Sequence, residues 1–169
     1  KFSRRPRSGW KLTRITVERT RSGKYYGYLL YACPVRSPEP VAPTEETTIG
    51  LKYDLSHFYV ADDGSVADPP HWLRRGQEKL SKIQQRLSGM QPGSRNYQEL
   101  VQKYRLLHEH IVNQRRDFLH KESRRIANAW DAVCIRDDSL TAISGELGGG
   151  DVLASGFGTF REMLRYKLE

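Results

Sequence analysis

Thr48–Gly64 reads TIGLKYDLSHFYVADDG. Ile49, Leu51, Tyr53 and Leu55 alternate with Gly50, Lys52 and Asp54, the period of a strand with one dry face. His57 to Ala61 predicts a second strand, joined to the first by a tight turn. Asp62-Asp63-Gly64 turns the chain again, and Ser65 to Ala67 suits a short third strand. Asp131–Asp138, DAVCIRDD, holds a further short apolar strand, Ala132 to Ile135.

Two helices separate these strand segments. Pro69-Pro70 suits a first helical turn, and Leu73, Leu80, Ile83 and Leu87 follow at heptad-like spacing. Gly89 and Pro92-Gly93 end that helix. Ser94 is placed to cap a second one, with Tyr97, Leu100, Tyr104, Leu107, Ile111 and Phe118 spaced by three, four and seven. The spacing predicts an antiparallel helical hairpin over 70–130. The segment 137–151 is rich in Gly, Ser and Asp and reads as a loop. Gly148-Gly149-Gly150 lacks the Gly-Lys-Ser/Thr that would make it a phosphate cradle. Phe157 to Glu169 predicts a last amphipathic helix with Phe160, Met163, Leu164 and Leu168 inward. A strand hairpin, a helical insertion and a strand returning beside the first is the order of a ribonuclease-H-like fold. The class is α+β, or α/β in broad naming.

Upstream, KFSRRPRS (Lys1–Ser8) is too basic and too poor in apolar residues to fold alone. Trp10 to Thr20 sets Leu12, Ile15 and Val17 against Lys11, Arg14 and Glu18. A turn at Arg21–Lys24 and a Tyr- and Leu-rich strand to Cys33 complete a β-hairpin with one wet, basic face. Four prolines and three glutamates between Pro34 and Thr47 suit neither helix nor sheet. The expected domains are 1–36, a linker over 37–47, and 48–169.

The net charge of +8 is unevenly placed. Lys1–Lys24 holds nine bases and one acid, and Pro70–Trp130 thirteen against five. Arg36–Pro69 and Asp131–Glu169 are acidic, two against seven and four against seven. Basic stretches interleaved with Trp10, Tyr25, Tyr26, Tyr97 and Tyr104 fit a polyanion, most simply nucleic acid. Candidate phosphate contacts are Arg4, Arg5, Arg7, Lys11 and Arg14 in the first basic segment. The first helix adds Arg74, Arg75, Lys79, Lys82 and Arg86. The second adds Arg115, Arg116, Lys121, Arg124 and Arg125, expected as basic ridges. Cys33 and Cys134 lie far apart in apolar runs and read as two buried free thiols; without a CxxC pair, no zinc site is expected in this stretch. No apolar run approaches a membrane span, and no signal peptide is visible. An opening on Lys1 and an end at Glu169 within a helical pattern suggest a piece of a longer protein.

IGLKYDLSHFYVADDG, KLSKIQQRLSGMQPGSRNYQE, KYRLLHEHIVNQRRDFLHKESRRIAN, WDAVCIRDD and GFGTFREMLRYKLE together resemble the TnpB family. These are RNA-guided nucleases of insertion sequences, related to type V CRISPR effectors. The most specific match is NQRRDFLHK, Asn113–Lys121. The resemblance implies a RuvC-like domain over 48–169, incomplete at its C-terminus. It implies that the Trp10–Cys33 hairpin closes a wedge-type, oligonucleotide-binding-like β-barrel. The family's recognition helices, zinc ribbon and third catalytic aspartate would lie outside residues 1–169. It also implies a guide RNA, a double-stranded DNA target, no membrane partner, and a monomeric ribonucleoprotein in the bacterial cytoplasm at the nucleoid.

One departure decides the functional expectation. The family's first catalytic Asp falls on Lys52 and its catalytic Glu on Arg136. Those carboxylates share divalent metals that activate the attacking water. A charged lysine or arginine has no lone pair to offer a metal. The expectation is therefore a nuclease-dead, RNA-guided DNA-binding protein, not an enzyme, that represses transcription by occupancy. It needs guide RNA and holds no Mg²⁺ at the degenerate site. Two alternatives stand beside it: an active endonuclease using Asp54 and Asp138, each two residues and about 7 Å further along its strand, or a dead effector that recruits another protein. In the first reading Asp54 and Asp138 neutralise Lys52 and Arg136.

Overall fold

The structure is a computed structural model describing residues 8–34, 42–54, 57–68, 71–136 and 152–169, with side chains except at 71–74 and 152–155. The chain forms two compact units, Lys1–Pro40 and Val41–Glu169.

In the first unit, β1 (Lys11–Arg19) pairs antiparallel with β2 (Tyr25–Ala32). The register shifts between Leu12 and Arg14: Leu12 opposes Tyr31, and Ile15 opposes Leu29. This bulge brings Leu12 and Ile15, three apart in sequence, to one face with Val17. Lys11 and Arg14 share the other face with Glu18, whose carboxylate accepts the Tyr28 hydroxyl at 3.0 Å. Gly23, at φ 93°, turns the chain and donates its N–H to the Thr20 carbonyl. Within this unit both faces of the hairpin are exposed, the apolar one included: Ile15 is 60 % and Val17 69 % accessible.

The second unit is a mixed α+β assembly compatible with a ribonuclease-H-like core. Its four strands are β3 (Thr48–Tyr53), β4 (Tyr59–Ala61), β5 (Val66–Ala67) and β6 (Ala132–Ile135), in spatial order β5-β4-β3-β6. β3 runs antiparallel to β4 and parallel to β6. A parallel neighbour requires a crossover, and α1 (His71–Ser88) and α2 (Arg95–Ala129) supply it. Ser94 caps α2 by accepting the Tyr97 N–H at 3.2 Å. The last helix, α3 (Val152–Leu168), begins five residues before the expected Phe157. The expected glycine-rich loop, 137–151, lies outside the described residues.

Ile49, Leu51, Tyr53, Tyr59 and Ala61 face the core. There they meet Leu119 and Ile126 of α2 and Phe157, Phe160, Met163 and Leu164 of α3. Phe58 sits at the centre, its ring 5.1 Å from Phe160, 5.4 Å from Phe118 and 5.7 Å from Phe157, each near edge-to-face. β3 stops at Tyr53, two residues short of expectation. There the Asp54 carboxylate accepts the His57 N–H at 2.9 Å and tightens the turn.

Away from the sheet, α1 and α2 approach closely at Gly76, where an added Cβ would lie 2.8 Å from Ile111 Cγ1. Gly76→Val is expected to destabilise the fold by about 1–3 kcal/mol through overpacking. Pairing it with Ile111→Ala should recover part of the loss in urea denaturation. Additive losses would contradict the close approach.

Candidate functional site

Strand alternation decides which side chains leave the core. With Ile49, Leu51 and Tyr53 inward, Gly50 and Lys52 occupy the opposite face of β3. Gly50 is in register with Cys134, and Leu51 with Ile135. The Arg136 N–H donates to the Leu51 carbonyl at 3.3 Å, so the ladder continues one step past β6. Arg136 thereby stands abreast of Lys52 on the neighbouring strand, where backbones run about 4.8 Å apart. Both side chains are exposed, and both line an open groove of about 530 Å³ with Gly50, Val60, Asp62 and Cys134. A second hollow, bordered by Thr44, Glu45 and Thr48, shares Asp62 and Cys134 with the first.

Two corrections to the sequence reading arise here. Cys134 is exposed and Cys33 only partly buried, so the two thiols are free but not core residues. Cys134 alternates with the inward-leaning Val133 and Ile135, which puts it on the groove face. Asp62, read as a turn residue, also belongs to the groove. The Gly50 N–H donates to Asp62 Oδ2 at 2.8 Å, and the Asp62 N–H donates to the Gly50 carbonyl at 3.0 Å. A Cβ on residue 50 would lie 2.8 Å from that carboxylate oxygen. The signal in the sequence was a glycine inside an otherwise β-rich strand, which marks a close approach. Next to it, the hydroxyl and amide of Ser65 hold the Asp63 carboxyl below its ordinary range.

The described lining of the groove does not fit a divalent metal. Lys52 and Arg136 offer no lone pair. Asp62 is the acidic residue lining the groove, with one oxygen on the Gly50 amide. Asp54 turns its carboxylate to the His57 amide, and Asp138 lies outside the described residues. Among the described residues no group of three or more His, Cys, Asp or Glu side chains is placed to hold a metal. Lys52 makes no ion pair among them.

The expected phosphate contacts are scattered. Arg4, Arg5, Arg7 and the Arg74 side chain lie outside the description. Lys11 and Arg14 share one exposed hairpin face. Arg75, Lys79, Lys82 and Arg86 are exposed at intervals of four, three and four, one stripe along α1. On α2 the arginines do not act alike. Arg115 is half-buried, and Lys121 pairs with Asp117 at 2.7 Å. Arg125 donates to Glu122 at 2.6 Å and to the Tyr59 hydroxyl, which itself donates to Glu122 at 2.5 Å. Burial first, then the Glu122 carboxylate, pushes the Tyr59 phenol far above its ordinary value. Arg125 therefore helps pin α2 to the sheet. Of the five contacts expected on α2, Arg116 and Arg124 are exposed and without an ion pair among the described residues.

Gly50→Ala is expected to displace the Asp62 carboxylate and cost about 1–2 kcal/mol, the range of a charge-assisted hydrogen bond at a partly wet site. Adding Asp62→Ala to it should cost little more, as denaturation of the double variant would show.

The family model OrfB_IS605, described as "Probable transposase", matches residues 30–138. The chain is 29 % identical over 135 residues to the "Putative RNA-guided DNA endonuclease InsQ" of Escherichia coli (strain K12), covering 80 % of this chain and 33 % of that protein. It is 27 % identical over 169 residues to a "Putative RNA-guided DNA endonuclease" of Streptomyces pristinaespiralis, covering 99 % of this chain and 41 % of that one. The chain thus spans about a third to two fifths of the curated relatives it matches. With the model matched over more than half of its residues, the chain belongs to the OrfB_IS605 family.

Proposed function

We propose that this chain is the core of an RNA-guided DNA-binding protein that occupies guide-matched DNA without cutting it. The observation that carries the reading is the cationic pair. Lys52 and Arg136 stand side by side on the open sheet face, and the resemblance to TnpB-like nucleases assigns metal-binding carboxylates to these two positions. Two cations there repel Mg²⁺ and attract the phosphate that a cleaving enzyme would present to it. At about 4 Å each such attraction is worth about 1–4 kcal/mol, depending on the effective dielectric. Guide RNA supplies the sequence by pairing, and the protein holds the heteroduplex by shape and backbone charge.

In this reading the Trp10–Cys33 hairpin belongs to a wedge-type barrel, and the basic stripe of α1 contacts phosphates without reading bases. The working form is a monomeric ribonucleoprotein at the bacterial nucleoid. Occupancy blocks polymerase, which represses transcription. Any zinc ribbon belongs to sequence beyond this stretch. Among the described residues no helix is long and apolar enough to cross a membrane.

The printed names of the two relatives favour a second reading, an active RNA-guided endonuclease. One experiment separates the two. The full-length protein with its copurifying RNA is given guide-matched plasmid in Mg²⁺ and in Mn²⁺. The expected outcome is a retained complex with intact DNA. Guide-dependent nicks or breaks would overturn the proposal, and their loss in Asp54→Ala or Asp62→Ala would assign the metal to displaced carboxylates.

A further inference from the structure

The contact between α2 and α3 gathers cations that no sequence pattern joined. Lys167, in the last turn of α3, donates from Nζ to the His120 carbonyl at 2.9 Å and to Ser123 Oγ at 2.5 Å. Ser123 is fully buried and spends its own proton on the Leu119 carbonyl at 2.6 Å, so its oxygen is left to accept. An ammonium has three N–H donors, and one remains. Tyr166, with 54 % of its surface exposed, places its hydroxyl 3.4 Å from His120 Nδ1. On α2, Arg116, His120 and Arg124 recur every four residues and form one ridge beside Lys167.

The charges of this ridge act on one another. Burial, then Lys167, then Arg116 push the His120 imidazole below its ordinary value, while Asp117 pulls it up. Burial and then Arg124 push the Lys167 ammonium down. Asp117 is already paired with Lys121. The fold thus holds three full cations around a histidine without a dedicated counter-charge among the described residues, an arrangement that an anionic ligand relieves.

The geometry points to a phosphate-binding site on this ridge, formed by Arg116, His120, Arg124 and Lys167, that takes the backbone of a single nucleic-acid strand with a base against the Tyr166 ring. Cations beside an exposed aromatic face are the chemistry of single-strand binding, where backbone charge and stacking act together. An acidic peptide would use the cations and leave the ring idle. The choice of nucleic acid as ligand rests on the function proposed above; the anion site itself does not.

The test uses the full chain and two probes, inorganic phosphate and a single-stranded oligothymidylate. His120 ring resonances are followed by NMR across pH, with and without each probe. The expected result is that either probe makes His120 titrate at higher pH, since a bound anion favours the imidazolium. In parallel, Arg116→Gln/Arg124→Gln/Lys167→Gln should lower the log–log salt slope of oligothymidylate binding by about 2, from three contacts at about 0.7 each on a single strand. A His120 titration that neither probe moves, although the oligonucleotide binds, overturns the site. So does an unchanged slope in the folded triple variant. Phosphate moving His120 while the oligonucleotide fails to bind supports the anion site and sinks the nucleic-acid reading. The wild-type titration decides the matter even if the triple variant does not fold.

Discussion

The parallel pairing of β3 with β6 is the constraint on which the rest of the second unit depends. It joins strands separated in sequence by the whole α1–α2 hairpin, from Thr48 against Ala132 to Leu51 against Ile135. The Asp131 N–H on the Thr47 carbonyl and the Arg136 N–H on the Leu51 carbonyl extend the ladder at its two ends. Because side chains alternate, slipping β6 by one residue would invert both of its faces. Val133 and Ile135 would leave the core, and Arg136 would turn toward Phe157 and Leu164. The apolar side of the sheet thus fixes the register. The register in turn fixes which charges stand together on the open side.

That open side belongs to a sheet compatible with a ribonuclease-H-like core, and it carries two exposed cations. A cleaving enzyme concentrates negative charge there and recruits divalent cations to offset it. Lys52 and Arg136 concentrate positive charge instead, and the acidic lining residue, Asp62, has one oxygen committed to the Gly50 amide. The groove sits on a packed core. Beneath it the Phe58, Phe157 and Phe160 cluster and the Tyr59–Glu122–Arg125 network keep the sheet packed on α2 and α3. A sheet so well packed is a rigid platform, whatever chemistry its exposed side carries.

Much of the fold was legible because it follows from periodicity and punctuation. The alternation from Ile49 to Tyr53, the Ser94 cap and the Ala132–Ile135 strand all appear where local sequence places them. The misses have local causes. The glycines from 148 to 156 masked the first turns of α3. A bulge, not plain alternation, unites Leu12 with Ile15. Cys134 looks like a core residue until its register with Gly50 is known. The site was less legible. Lys52 and Arg136 drew notice through a family resemblance, since no spacing rule links them. Asp62 was hidden by the turn signal Asp-Asp-Gly, and the commitment of Arg125 by its distance in sequence from Tyr59. The Lys167–His120 contact joins two helices whose relative placement no one-dimensional pattern encodes.

The central claim is that the Lys52–Arg136 pair replaces a metal site with a cationic one. Paramagnetic relaxation tests it without recourse to nucleic acid or to cleavage. Small amounts of Mn²⁺ are added to the isotopically labelled full chain, and the amides of Gly50, Lys52, Cys134 and Arg136 are followed. The account predicts no site-specific broadening of these four in the wild type. It predicts such broadening in Lys52→Asp/Arg136→Glu, where two carboxylates return to the groove. Selective broadening of the same amides in the wild type would contradict it.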